Sequence, residues 1–244
     1  MSVMIDVAAY LSEVEAFTKI AERFAEDRAA SSRLRDMREL LQKGVDTRKA
    51  EWTWDTPKEI IFKKSTAYDG PNRKDADTHL TFGFECVFTR SDRVPRRSSV
   101  WQIKHCATHV VLHKNGRSLP CHFDYKNGNQ WGPQMHFQVS ERLCDIPIPR
   151  VPTGCFLPTD CADLALAELH HEEWRRQQAS SRNMRETSLL RDAQENRVMS
   201  FLADVQSHWM RDKRCTRVCM LQNYTSTVAA LPDHKGRLAE QIRA

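Results

Sequence analysis

Apolar and polar residues alternate with period two through the middle of the chain. Within residues 117–125, Leu119, Cys121, Phe123 and Tyr125 fall on one side, and His122 and Asp124 on the other. Within residues 134–140, Met135, Phe137 and Val139 alternate with Gln134, His136 and Gln138. Successive side chains of a strand point to opposite faces, so this pattern predicts two half-buried antiparallel strands. The connection at 126–133 is rich in Asn and Gly, which turn a chain. Pairing the strands places His122, Asp124, His136 and Gln138 on one polar face and leaves the register open.

The same period appears upstream. Leu80, Phe82, Phe84, Cys86 and Phe88 alternate with Thr81, Gly83, Glu85 and Thr89, which predicts a strand over 79–90. Residues 100–113 are apolar on both faces and rich in β-branched residues, as expected of a central strand. Asn115-Gly116 after it is a two-residue hairpin signal. These runs predict a mainly antiparallel meander of four or five strands over about 79–140. A further short strand is expected at 59–64. Residues 51–57 are aromatic and end in Pro57, which opposes helix.

Period 3.6 governs both ends. Val7, Tyr10, Leu11, Val14, Phe17, Ile20, Ala21 and Phe24 predict an amphipathic helix over 5–26. Leu34, Met37, Leu40 and Leu41 predict a second helix, with Ser31 or Ser32 as its cap and Gly44 as its stop. Beyond the meander, Pro147, Pro149, Pro152 and Pro158 keep the chain extended. A helix then starts at Thr159 or Asp160 and runs through Trp174, and another spans 186–213 on Leu190, Ala193, Val198, Phe201, Leu202, Val205 and Trp209. Residues 68–77 read as a polar loop, and 236–243 as a short final helix. The fold class is α+β. Residues 1–48 form a helical hairpin on the core, 49–158 the sheet core, and 159–244 a helical region, together one compact unit.

Composition changes this picture mainly by exclusion. No run approaches the ~20 apolar residues that span a bilayer, and the acidic N-terminus lacks signal-peptide character, so a cytoplasmic protein is expected. Eight cysteines include no C-x-x-C, which argues against a zinc finger and for reduced thiols, with Cys86, Cys106 and Cys121 as small core residues. The net charge of +5 tolerates an anionic partner without requiring one. Its basic clusters, Arg93/Arg96/Arg97, Arg175/Arg176 and Arg211/Lys213/Arg214, are short. Phosphate-cradling loops, the Rossmann fingerprint, the nucleophile elbow and H-E-x-x-H are all absent.

The candidate chemistry is therefore the polar strand face. His122, Asp124 and His136 are the candidate catalytic residues: two imidazoles can serve a scissile phosphate as base and acid, with the carboxylate orienting one. With Asp124 as third ligand, the same group can hold a divalent metal; no other cofactor is expected. Gln138, Trp131, Arg142, Arg175 and Arg176 are the candidate binding residues. His105, His109 and His113 share a strand face at ~13 Å steps, too far apart to ligate one metal, and are expected to pack across strands. His170 and His171 read as helix-end cations. Trp174 and Trp209 are expected to pack in the core rather than stack on bases.

The order His-x-Asp, turn, Pro-x-x-His-x-Gln, proline-rich crossing and Trp-Arg-Arg helix over residues 121–176 resembles patterns in uncharacterised bacterial proteins, which implies a bacterial origin and no activity. Three functions are expected, in this order. The first is an interaction or adaptor subunit of a protein or protein–nucleic-acid assembly, or a homo-oligomer, docking through the sheet face and proline-rich segment. The second is a phosphoesterase or ribonuclease using the paired histidines. The third is a sequence-nonspecific nucleic-acid binder using the basic turns.

Overall fold

A computed structural model of the chain describes residues 3–47, 49–65, 78–91, 95, 98–126, 135–139, 151–153 and 156–211. The 68–77 loop, Pro147, Pro149, Trp131, Arg142, the Arg93 cluster, Lys213, Arg214 and the 236–243 helix lie outside them.

Two aspartates set the N-terminal helices. Asp6 Oδ1 accepts from the backbone N–H of Ala8 (3.0 Å) and Ala9 (3.3 Å), so α1 (Val7–Ala21) begins there. Asp27 Oδ1 accepts from Ala30 N at 2.7 Å and starts α2 (Arg28–Asp46), displacing the expected serine caps. Each such cap is worth about 1 kcal/mol, because it satisfies an orphan helix donor. Gly44 does not end α2. It lies inside the helix where the Trp52 indole meets the backbone, and a Cβ there would come within 2.1 Å of the ring.

The residues ahead of α1 form a strand that periodicity did not reveal, β1 (Val3–Asp6). The remaining strands are β2 (Glu51–Asp55), β3 (Ile60–Ile61), β4 (His79–Thr89), β5 (Val100–Lys114), β6 (Arg117–Lys126), β7 (Met135–Val139) and β8 (Val151–Pro152). All pairings are antiparallel, in the order β2-β4-β5-β6-β7-β8. The sheet is thus wider than the expected meander. The segment 51–57 supplies a true strand with Trp52 and Trp54 inward, and 59–64 contributes only the two residues of β3. β2 and β3 lie end to end along β4, and β1 and β6 lie end to end along β5. Asn115 (φ 52°) and Gly116 (φ 70°) both take positive φ, the requirement of the tight turn that joins β5 to β6.

Residues 100–113 read as apolar on both faces because of a bulge. Val87 pairs with His105 but Phe88 with Ile103, leaving Lys104 as an extra residue. Before it the odd positions Trp101 and Ile103 are buried; after it the even positions Cys106, Thr108 and Val110 are. The strand changes phase and is not buried on both sides along its length.

Helices cover one sheet face. Phe17, Ile20 and Phe24 from the first helical segment join Leu34, Met37 and Leu41 of α2, the sheet aromatics Trp54, Phe82 and Phe88, and Leu166, Leu169, Trp174 and Leu190 in one core. The C-terminal helices are α3 (Pro158–Leu169), α4 (His171–Ala179) and α5 (Met184–Arg211). The single helix expected through Trp174 breaks at His170, whose φ of −121° is not helical. Its ring is buried against Phe24, centroids 5.1 Å apart, and is not an exposed helix-end cation. No described helix is long and apolar enough to cross a membrane.

Burial pushes the His170 imidazole below its ordinary value, although Glu173 and a backbone hydrogen bond at Lys63 pull the other way. A depressed histidine stabilises the fold above the unfolded value of 6.5 and loses that contribution as pH falls through its folded value. Replacing His170 with Gln should therefore flatten the loss of thermal stability between about pH 6.5 and 5 relative to the unsubstituted protein. Parallel pH profiles of melting temperature for the two would remove His170 from this role.

Where α5 meets α1 and α3, charge is buried. Glu13 is 1% exposed, and both its oxygens accept from Arg197, one of them Oε1 from Nη2 at 2.8 Å. Thr159 Oγ1 donates to Glu13 Oε1 at 2.6 Å, and Arg197 Nη2 also reaches Asp160 Oδ1 at 2.5 Å. Burial pushes the Glu13 carboxyl up while Arg197 pulls it back. Desolvation opposes the Arg197 charge, but Asp160 and Glu13 outweigh it and hold the guanidinium well above its ordinary value.

Candidate functional site

The register left open by the sequence is now fixed. Asp124 pairs with His136 and His122 with Gln138, so the four residues share one face of β6 and β7. On the opposite face Phe123 packs on Phe137 (5.0 Å between centroids) and Phe156 (5.7 Å), while Tyr125 and Met135 are buried. That apolar side anchors both strands, since slipping either by one residue would exchange the faces.

Three side chains converge. His122 Nε2 lies 3.4 Å from Asp124 Oδ2, and His136 Nε2 lies 3.7 Å from the same oxygen. One ligand atom from each residue falls within 4.8 Å of those of the other two. Burial is graded across the group. His136 is 2% exposed and Gln138 7%, whereas the His122 and Asp124 side chains are 24% and 26% exposed. Asp124 Oδ1 is buried and has no hydrogen-bond partner among the described residues. Solvent thus reaches the cluster at His122 and Asp124 and is excluded at His136.

β5 extends the face. His109 pairs with His122, rings 6.1 Å apart, and Ala107 pairs with Asp124, where its small side chain leaves the carboxylate room. Beyond them His113 stacks on His79 at 4.7 Å, and His105 lies 3.7 Å from Glu85. The expectation of cross-strand contacts for His105, His109 and His113 is met, but sequence reasoning did not join His109 to the candidate face. The signal was present. A two-residue turn makes Lys114 face Arg117, and five steps back along each strand His109 must face His122.

The remaining candidates among the described residues are not brought to this cluster. Arg175 and Arg176 are exposed on α4, on the helical side of the sheet, where both contact Glu172. Trp174 is core, its Nε1 donating to Asp163 Oδ1 at 2.9 Å. Cys86 and Cys106 are buried as expected, and Cys121 is half-buried, where burial raises its thiol. A groove of about 600 Å³ between α2 and the β2–β3 connection is lined by Arg33, Asp36, Met37, Leu40, Thr56 and Lys58 among others, with no histidine or cysteine in its lining.

No family model, curated protein or solved structure matches the chain.

Proposed function

We propose that the protein is a phosphoesterase that cleaves phosphodiesters, RNA among them, at His122, Asp124 and His136. One observation carries this reading: the three side chains converge in a cluster that solvent reaches at His122 and Asp124 but not at His136. Such an arrangement admits a substrate oxygen while keeping water from one of the two imidazoles. Its surroundings supply hydrogen-bonding groups for a phosphoryl oxygen. Among the described residues, the face carries the imidazoles of His79, His105, His109, His113, His122 and His136, with the carboxylate of Asp124 among them and those of Glu85, Asp55 and Glu51 farther off on β4 and β2. Gln138, beside His122, adds an amide that can orient a phosphoryl oxygen.

The test is hydrolysis of bis(p-nitrophenyl) phosphate and of a short RNA by His122→Ala and Asp124→Asn. Each should lose at least ~100-fold in rate, the usual scale for removing a group acting on the reacting centre. Melting temperatures should move by no more than about 4 °C, because both side chains are partly exposed. His136→Ala is the poorer diagnostic, since deleting a buried ring also weakens the fold. Undiminished cleavage by both variants would sink the reading.

A docking role keeps one supporting observation, away from the sheet. Val198, Met199 and Leu202 on α5 are each half exposed or more, and apolar residues so grouped favour contact with another chain. Leu202→Glu should then shift the protein to a smaller species in size-exclusion chromatography with light scattering, and an unchanged mass would remove this reading.

A further inference from the structure

We infer that His122, Asp124 and His136 hold one divalent transition-metal ion of the zinc, manganese or iron(II) class. The inference rests on the same cluster as the phosphoesterase reading and names the agent that acts there. The distances carry it. A neutral or charged imidazole hydrogen-bonded to a carboxylate sits at roughly 2.7–3.2 Å. Two ligands held about 2.1 Å from one ion, at tetrahedral to octahedral angles, stand roughly 3.0–3.5 Å apart. Asp124 Oδ2 is 3.4 Å from one Nε2, inside that range, and 3.7 Å from the other, about 0.2 Å beyond it, and both are long for hydrogen bonds. Both rings present the same nitrogen to the same oxygen. The widest separation in the set, within 4.8 Å, must narrow on binding, and His122, 24% exposed, is the less buried of the two rings.

Two further features agree. Asp124 Oδ1 is buried without a hydrogen-bond partner among the described residues, so the carboxylate charge is left for a cation to balance. The exposed sides of His122 and Asp124 leave coordination positions facing His109 and solvent, as in sites with three protein ligands and an open position. Two imidazoles and a carboxylate, without thiolate, select a borderline cation over calcium or magnesium. There the ion would polarise a phosphoryl oxygen and lower the pKa of the attacking water.

The test uses the full chain, stripped with chelator, dialysed, and titrated with Zn²⁺ by calorimetry and with Co²⁺ by visible absorption. One equivalent should bind. Asp124→Asn and His122→Ala should each weaken binding at least ~100-fold, beyond the loss from an outer-sphere change, while His171→Ala, exposed on α4, should not. Failure of the unsubstituted protein to bind one equivalent overturns the inference, and so does undiminished binding by both variants. The two readings also separate. Phosphodiester cleavage by stripped protein that is lost in His122→Ala removes the metal and keeps the phosphoesterase. One-equivalent binding that needs Asp124 and His122, without cleavage of any phosphodiester, does the reverse.

Discussion

Arg197→Ala should cost about 3–5 kcal/mol of stability, the range for removing one partner of a buried ion pair. For a chain of this size that lowers the melting temperature by roughly 6–20 °C. The magnitude follows from what is left behind. Glu13 is 1% exposed and would keep Thr159 as donor but lose both guanidinium contacts. Asp160 retains the backbone N–H of Leu157 at 2.9 Å, so its loss is smaller. A pH series supplies the sign. Without Arg197, burial raises Glu13 further, and a raised carboxyl favours the fold below its unfolded value of 4.5 and opposes it as pH rises. The deficit of Arg197→Ala should therefore shrink on acidification. Adding Glu13→Gln should recover part of it at neutral pH, through removal of the uncompensated charge. A deficit under about 1 kcal/mol, or one that does not depend on Glu13, would show that the cluster is a solvated pair of little consequence.

Gly44→Ala is expected to destabilise by about 1–3 kcal/mol, although the same change in an open helix gains about 1 kcal/mol. The new methyl would sit 2.1 Å from two carbons of the Trp52 ring. That ring cannot step aside freely, because it stacks on Phe88 at 4.5 Å and meets Trp101 edge-on at 5.5 Å, with Arg90 over Trp101 at 4.0 Å. Urea unfolding reads the outcome directly. Combining Gly44→Ala with Trp52→Leu should relieve the clash, and a Gly44→Ala protein more stable than its parent would refute the contact.

Gly44 also marks where sequence reasoning reached its limit. A glycine near a helix end looks the same whether it stops the helix or lets a partner approach, and the partner, Trp52, lies in another element. Reading was reliable where the chain is locally periodic and long. β4, β6 and β7 were placed by alternation, and Asn115-Gly116 marked the turn between β5 and β6. It failed where a single residue interrupts the period. Lys104 shifts β5 by one position, so two half-strands of opposite phase look like one strand buried on both sides. His122, Asp124 and His136 were legible as a candidate group on one face, but their spacing was not, because the connection between β6 and β7 leaves the register free. Glu13, Asp160 and Arg197 gave no local sign at all: Arg197 and Glu13 lie 184 residues apart, and each alone resembles a surface charge.

β1 bears on how the protein can be handled. Its four residues pair with Val100–Ile103, the half of β5 that β6 does not reach, and Val3 N donates to Tyr125 Oη at 3.3 Å across the junction. Without residues 3–6, the N–H and C=O groups of that half-strand stand bare beside β4. A bare strand edge is a template on which other chains add. Trimming the N-terminus to aid crystallisation would thus create an adhesive edge, and would remove the Asp6 cap of α1 with it. An affinity handle is better carried at the other end of the chain.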